Sequence, residues 1–291
     1  MQKLKYFVYA IRFKTLIASV APITTSSALC YKFYSFDFKI FYATLIAAVL
    51  LQILTNFIND LYDFRKGSDK DNRIGPDRML QKGYLSEREM IKAIYIVFIA
   101  ALIVGFYLVS IGGPIILLIG LSSFLFAYLY TATRFSIAYN GFGEIFVFLY
   151  FGIIATFGTF YLQTLDYQYD VIILGAIIGC LNINLLVINN LRDYLSDQES
   201  EKNTLVVKYG LKFGKLEFTL MLFLSYLFLY FFAYLKNNLM IFYGLAYLSI
   251  FAIYIIYKVI NDKMFINYKA LPLFSLYVFV FTISMVYNIL I

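Results

Sequence analysis

Apolar residues gather into long unbroken runs along this chain, and polar positions collect in the gaps between them. Nine runs are long enough to cross a hydrocarbon layer, which takes about 20 residues of helix, with shorter runs tolerated where flanking side chains snorkel. They cover Thr15–Tyr31, Ile40–Leu61, Ala93–Ile111, Pro114–Ala132, Ile145–Leu165, Val171–Leu191, Phe218–Leu235, Leu239–Tyr257 and Leu271–Ile291. The pattern predicts an all-α, polytopic membrane protein in which residues 1–291 form a single transmembrane domain. Gaps on one side are short, such as Gly112-Gly113. On the other, two long connections run over about 62–92 and 192–217, lengths that usually carry function.

Composition agrees. A chain that is 62% hydrophobic, 20% aromatic and 14% charged has more apolar surface than one soluble core of 291 residues needs. Lys and Arg then set the orientation: with nine spans, 21 of the 24 fall on the N-terminal side and only Lys32, Lys39 and Lys236 on the other. By the positive-inside rule the N-terminus and both long connections are cytoplasmic, and the net charge of +7 calls for no nucleic-acid partner. The basic start leads into a full-length run without a small-residue cleavage site, so no removable leader is expected. Cys30 and Cys180 both lie inside apolar runs, which suggests neither a disulfide framework nor a thiolate metal site. The chain has no His, which excludes imidazole ligands and imidazole bases. It also has no Walker loop, which argues against ATP-driven work.

Acidic residues are concentrated where this leaves room for chemistry. Of 17 Asp and Glu, 12 lie between Asp60 and Glu89 or between Asp193 and Glu217. Asn56, Asn59, Asp60 and Asp63 fall at helical positions zero, three, four and seven, and Asn190, Asp193 and Asp197 at zero, three and seven, so each set shares one helix face. Helix ends dipping into water would also tolerate such residues. Carboxylates near a helix C-terminus nevertheless oppose the dipole, and ionisable groups at membrane depth are functional candidates. Oxygen-only donors suit a hard cation, and Mg²⁺ takes one or two carboxylates while sharing its other positions with water and phosphate. Two facing stripes therefore suggest a clamp for a Mg²⁺-bound diphosphate, with Lys66, Arg73, Arg78, Arg134, Arg192 and Lys202 within reach as phosphate partners. A diphosphate held among apolar helices implies a lipid tail upon it.

These residues resemble a known family. Asn-Asp-x-x-Asp at Asn59, Asp60 and Asp63, with Asp-x-x-x-Asp at Asp193 and Asp197, is similar to the paired motifs of the UbiA-type intramembrane prenyltransferases. Lys66-Gly67-Ser68-Asp69, Arg73-Ile74-Gly75-Pro76-Asp77-Arg78, Gly143 to Phe148, Gly158 to Thr164 and Asn189 to Asp193 resemble its naphthoate-prenylating branch. The resemblance implies a bundle around a central cavity opening near the cytoplasmic face of a bacterial membrane. It also implies transfer of a polyprenyl group from polyprenyl diphosphate to 1,4-dihydroxy-2-naphthoate, with decarboxylation to demethylmenaquinone. Asn59, Asp60, Asp63, Asp193 and Asp197 would hold Mg²⁺ and diphosphate, and Asn56, Lys66, Arg78, Arg134 and Lys202 the diphosphate. Gly67 stands where many relatives carry a further Asp, and Asp69 is the candidate substitute.

On the acceptor side, Glu144 would orient or deprotonate a naphthol, with a dipole-favoured first-turn acid as the competing reading. Tyr161, Gln163 and Asn184 would line the pocket, or else serve interhelical hydrogen bonding. The competing functions are a UbiA-type enzyme for another aromatic acceptor, such as 4-hydroxybenzoate, and a cation transporter with the acidic stripes as its ion path.

Overall fold

A computed structural model describes residues 2–67, 78–133 and 136–291, which are helical throughout with no strand among them. Helix α1 (Gln2–Ile11) ends at Arg12, whose φ of 59° turns the chain through a short 3-10 segment into α2 (Ile17–Phe33). The two segments are bent by 55°. Asp37 then starts α3 (Phe38–Arg65) by accepting from the amides of Lys39 and Ile40 at 2.6 and 3.3 Å. Helix α4 (Glu87–Leu129) opens on a capping box in which Ser86 and Glu89 satisfy each other's backbone amides.

The 43 residues of α4 would extend to ~65 Å if straight, twice the hydrocarbon thickness. They do not run straight. The expected Gly112-Gly113 turn is a break centred on Gly113 (φ 60°, ψ −145°), a conformation open to glycine alone, followed by Pro114. The two arms fold back side by side, with the rings of Phe98 and Phe124 centred 5.0 Å apart.

Next comes one apolar rod, Gly143–Thr164, made of α5 (Gly143–Phe148), a π-helical stretch (Leu149–Ile154) and α6 (Ala155–Thr164). Helix α7 (Tyr169–Arg192) follows and is the centre of the molecule, with 83% of its apolar window buried against 11% for α4. Two short helices, α8 (Tyr194–Glu199) and α9 (Leu205–Tyr209), fill the second long connection before α10 (Leu211–Leu235). The run expected over Leu239–Tyr257 is divided into α11 (Met240–Ala246) and α12 (Leu248–Asn261), bent by 46° at Tyr247. A short α13 (Lys263–Tyr268) and the long α14 (Ala270–Leu290) complete the chain. Among the described residues, six helices are individually long and apolar enough to span a membrane, and up to eight spans result when each bent pair counts as one.

Small residues let α7 approach its neighbours. A Cβ at Gly152 would stand 2.6 Å from both the Gly175 carbonyl oxygen and the Gly179 Cα, so the π-helical stretch and α7 touch backbone to backbone. Asn182 pins the same region by donating to the carbonyls of Ala18 (2.9 Å) and Phe151 (2.7 Å). This uses a backbone oxygen within the π-helical stretch. The effect is to fix α5, and Glu144 at its start, against the C-terminal half of α7.

Candidate active site

A cavity of about 730 Å³ opens between α3, α4, the α5–α6 rod and α7, within the size range of small-molecule sites. Asn56, Asn59, Asp60 and Asp63 line it from α3, and Asn189, Asn190, Arg192 and Asp193 from the end of α7. Tertiary packing thus brings both acidic runs, 130 positions apart in the chain at Asp63 and Asp193, to one mouth. The wall below the mouth is apolar and aromatic, with Phe126, Phe146 and Tyr150 in mutual contact at 4.7 to 6.2 Å between ring centres.

In the first cluster every carboxylate meets a cation or a hydroxyl. Asp60 is 2% exposed and accepts from both Arg12 and Arg78. Asp63 accepts from Arg78 at 3.2 Å and from the Tyr139 hydroxyl at 3.0 Å. Asn59 accepts from the Thr131 hydroxyl, and Asn56 donates to the Ile11 carbonyl at 2.9 Å, tying α1 to α3. Burial of carboxylates is tolerated here because each charge is paired and hydrogen-bonded.

The second cluster is built the same way. Arg192 grips its neighbour Asp193 through two parallel bonds of 2.8 and 2.7 Å. Asp197 accepts from Lys202 at 3.4 Å; Lys202 reaches the cavity wall and Asp197 does not. Asn190 donates to Glu144 at 3.0 Å, so the acid that begins α5 is joined to the acidic face of α7. Glu144 is 5% exposed and lines the cavity.

One residue bridges the clusters. Tyr139, in a 3-10 turn (Ile137–Tyr139), gives its hydroxyl to Asp63, accepts the Asn203 amide on its carbonyl at 3.1 Å, and offers its ring to Lys66 at 4.1 Å and Lys202 at 5.9 Å. Sequence reasoning did not single out Tyr139, Arg12 or Thr131. Nothing local marks them, since their partners are 48 to 76 positions away.

Four further expected site residues lie off the cavity wall. Lys66 does not reach the cavity; its ammonium donates to the carbonyls of Thr131 (2.6 Å) and Thr133 (3.0 Å) and to the Ser136 hydroxyl (3.1 Å), holding that turn in place. Burial lowers the basicity of this ammonium, with Asp63 opposing. Gln163 is not a pocket residue: its side chain accepts from the Asp37 amide at 2.7 Å and donates to the Asp37 carbonyl at 3.1 Å, locking the turn before α3. Tyr161 also lies off the cavity wall, stacked on Phe157 at 5.9 Å. Asn184 is buried within α7 and does not line the cavity either. Asp69 and Arg134 fall outside the described residues.

The donors present are carboxylate and amide oxygens, a set that fits a hard divalent cation. Among the described residues no three Asp, Glu or Cys converge on a single point. Each cluster supplies two carboxylates, the number Mg²⁺ uses when phosphate and water complete its shell.

An all-helical membrane bundle with oxygen-rich clusters over an apolar cavity fits an intramembrane enzyme for lipid-tailed substrates, and residues 19–287 match the model of the UbiA prenyltransferase family. The chain belongs to that family and is a prenyltransferase enzyme, embedded in the membrane. It is 38% identical over 207 residues to the 1,4-dihydroxy-2-naphthoate octaprenyltransferase of Escherichia coli, covering 69% of this chain and 67% of that one. The enzyme of the same name from Haemophilus influenzae is 36% identical over 222 residues, covering 74% and 72%. In fold, the chain is similar to a UbiA homolog from Archaeoglobus fulgidus bound to GPP and Mg²⁺, with a TM-score of 0.69, 16% identity, and coverage of 98% and 100%. Family membership sets aside the cation-transport reading.

Proposed function

We propose that this enzyme transfers a polyprenyl group from its diphosphate to 1,4-dihydroxy-2-naphthoate, in a Mg²⁺-dependent reaction that releases carbon dioxide and yields demethylmenaquinol, the reduced form of demethylmenaquinone. The observation that carries the proposal is the single cavity lined by both acidic clusters and by Glu144. The activity of the bacterial relatives supports the acceptor, and the Mg²⁺ and GPP bound to the archaeal homolog support the cofactor and donor class.

Asn59, Asp60, Asp63 and Asp193 would hold the metal from the cavity wall, with Asp197 as a further ligand from behind it, and bound metal would supply neutralising charge for the diphosphate oxygens. Asp69 is the remaining candidate ligand. Arg12, Arg78 and Lys202, balanced against carboxylates in this structure, share their charge with the departing diphosphate, as Arg134 would; Asn56 orients it. The bond between the prenyl carbon and diphosphate oxygen breaks, and the allylic cation left behind lies among Phe126, Phe146 and Tyr150, whose faces stabilise it while the apolar wall excludes water. Glu144, oriented by Asn190, takes the proton of a naphthol hydroxyl, which enriches the ring. The ring carbon bearing the carboxylate bonds to the prenyl carbon. Its bond to the carboxylate then breaks, carbon dioxide leaves, the electron pair restores aromaticity, and the hydroxyl proton returns.

Nine spans follow if the two arms of α4 are counted separately beside the eight. With the basic residues inside, the N-terminus and cavity mouth face the cytoplasm of a bacterial cell, and residues 1–291 act as one domain capped by the connections at about 62–92 and 192–217. Purified protein given Mg²⁺, octaprenyl diphosphate and the naphthoate should release diphosphate and carbon dioxide in equal amounts. Asp63→Ala and Asp193→Ala should each abolish both. Full activity in either variant would remove the two-cluster clamp, and preferential prenylation of 4-hydroxybenzoate in a competition would reassign the acceptor.

A further inference from the structure

Behind α3, on the side away from the central cavity, lies a second opening. It is a groove of about 390 Å³ between α3 and the two arms of α4, and among the described residues its wall shares only Phe124 with the central cavity. Leu54, Ile58, Leu61, Tyr62 and Arg65 line it from one face of α3. Ile58 and Asp60 stand ~200° apart around that helix, so the groove and the acidic cluster occupy opposite sides. From Arg65 to Leu54 is ~17 Å of helix, about half the ~30 Å hydrocarbon layer and so the depth of one leaflet. The groove is apolar inside and polar only at its mouth. Phe98 and Phe124 cross its deeper part, and one turn nearer the mouth Tyr62 and Tyr128 meet edge to face at 5.8 Å, the Tyr62 hydroxyl donating to that of Tyr128 at 3.5 Å. Arg65 lies over the Tyr62 ring at 5.4 Å and pairs with Glu87 at 2.8 Å, while Glu89 turns to Lys3 of α1 instead. Arg88 and Lys92 are exposed on α4, each three residues before a groove residue, Ile91 and Tyr95, and so on the same helix face. Tyr95 and Tyr128, 63% and 44% exposed, stand at the rim, where the groove opens sideways into the bilayer.

We propose that this groove binds one anionic phospholipid of the cytoplasmic leaflet, with an acyl chain between α3 and the arms of α4 and the headgroup phosphate held at the mouth by Arg65, Arg88 and Lys92. An apolar slot one leaflet deep, open to the bilayer and topped by tyrosine hydroxyls, matches a chain below a phosphate. Among the described residues the mouth sets three cations against the one carboxylate of Glu87, and basic pockets between membrane helices on the cytoplasmic side select anionic headgroups. A zwitterionic lipid offers the same chains, but its own cation offsets the phosphate. The bound lipid fills the space behind the helix that carries Asp60 and Asp63.

The chain has no Trp, so Tyr95→Trp places a single fluorophore on the rim, and Phe223→Trp, at a 64% exposed position of α10, places one against bulk lipid. With the full-length protein in phosphatidylcholine bilayers, brominated phosphatidylglycerol should quench Tyr95→Trp at about fivefold lower content than brominated phosphatidylcholine, the preference that one surface cation provides. Phe223→Trp should be quenched equally by both. Adding Arg65→Gln and Arg88→Gln to Tyr95→Trp should abolish the preference. Native mass spectrometry gives a second reading that needs no Trp: from an equimolar mixture of the two lipids, the parent should retain phosphatidylglycerol and the double arginine variant should retain neither in preference. Equal quenching by both lipids at Tyr95→Trp, a preference that survives loss of both arginines, or a parent that retains the two lipids alike would leave only ordinary bilayer contact at the groove and overturn the site. None of these readings uses a prenyl donor, so their outcome is independent of the reaction proposed above.

Discussion

Asp60 meets two guanidinium groups, and Asp63 meets one of them together with the hydroxyl of Tyr139. These partners hold the carboxylates at a fixed spacing in a buried position, where an unpaired charge would cost far more than it returns. Tyr139 deserves a direct test because it touches both clusters. Tyr139→Phe removes one hydrogen bond to a charged group, worth about 1.5 to 3 kcal/mol, so the expected loss in kcat/KM is on the order of ten- to hundredfold. Tyr139→Ala also removes the ring between Lys66 and Lys202 and should lose more. Steady-state kinetics over a range of Mg²⁺ concentrations would show both; a Phe variant with parental kinetics would reduce Tyr139 to packing. Glu144→Gln keeps an acceptor for Asn190 but cannot take a proton, and should lower kcat while leaving donor KM nearly unchanged.

Among the elements, the break in α4 and the contact between α7 and the π-helical stretch determine where the candidate site residues stand. Gly113 has φ 60° and ψ −145°, so Gly113→Val should destabilise the fold by about 1 to 3 kcal/mol, visible as a lower unfolding midpoint in detergent. The spacing of Asn and Asp on α3 and α7 was legible because helical periodicity is local: residues at three, four and seven share a face whatever surrounds them. Gln163 shows the limit of the same reasoning. A buried amide on an apolar helix looks alike in sequence whether it faces a pocket or, as here, closes the Asp37 turn. Likewise, the run at Leu239–Tyr257 has the composition of one span, and only packing against its neighbours bends it at Tyr247.

For the whole molecule, charge asymmetry makes the clearest prediction. Single cysteines placed at Lys82 and Lys212 should react with impermeant thiol reagents only from the cytoplasmic side of intact membranes, and one at Lys236 only from outside; reversed labelling would invert the topology. Membrane residence, helical class and the chemical nature of the clusters were readable from the chain because a bilayer imposes length and charge rules one segment at a time. The joining of two acidic runs at one mouth, the recruitment of Arg12 and Tyr139 to them, the diversion of Lys66 to a structural turn and the depth of the cavity were not. Each depends on which helix faces lie against which across 48 or more positions of chain, and those choices follow from close packing of side chains and glycines in three dimensions.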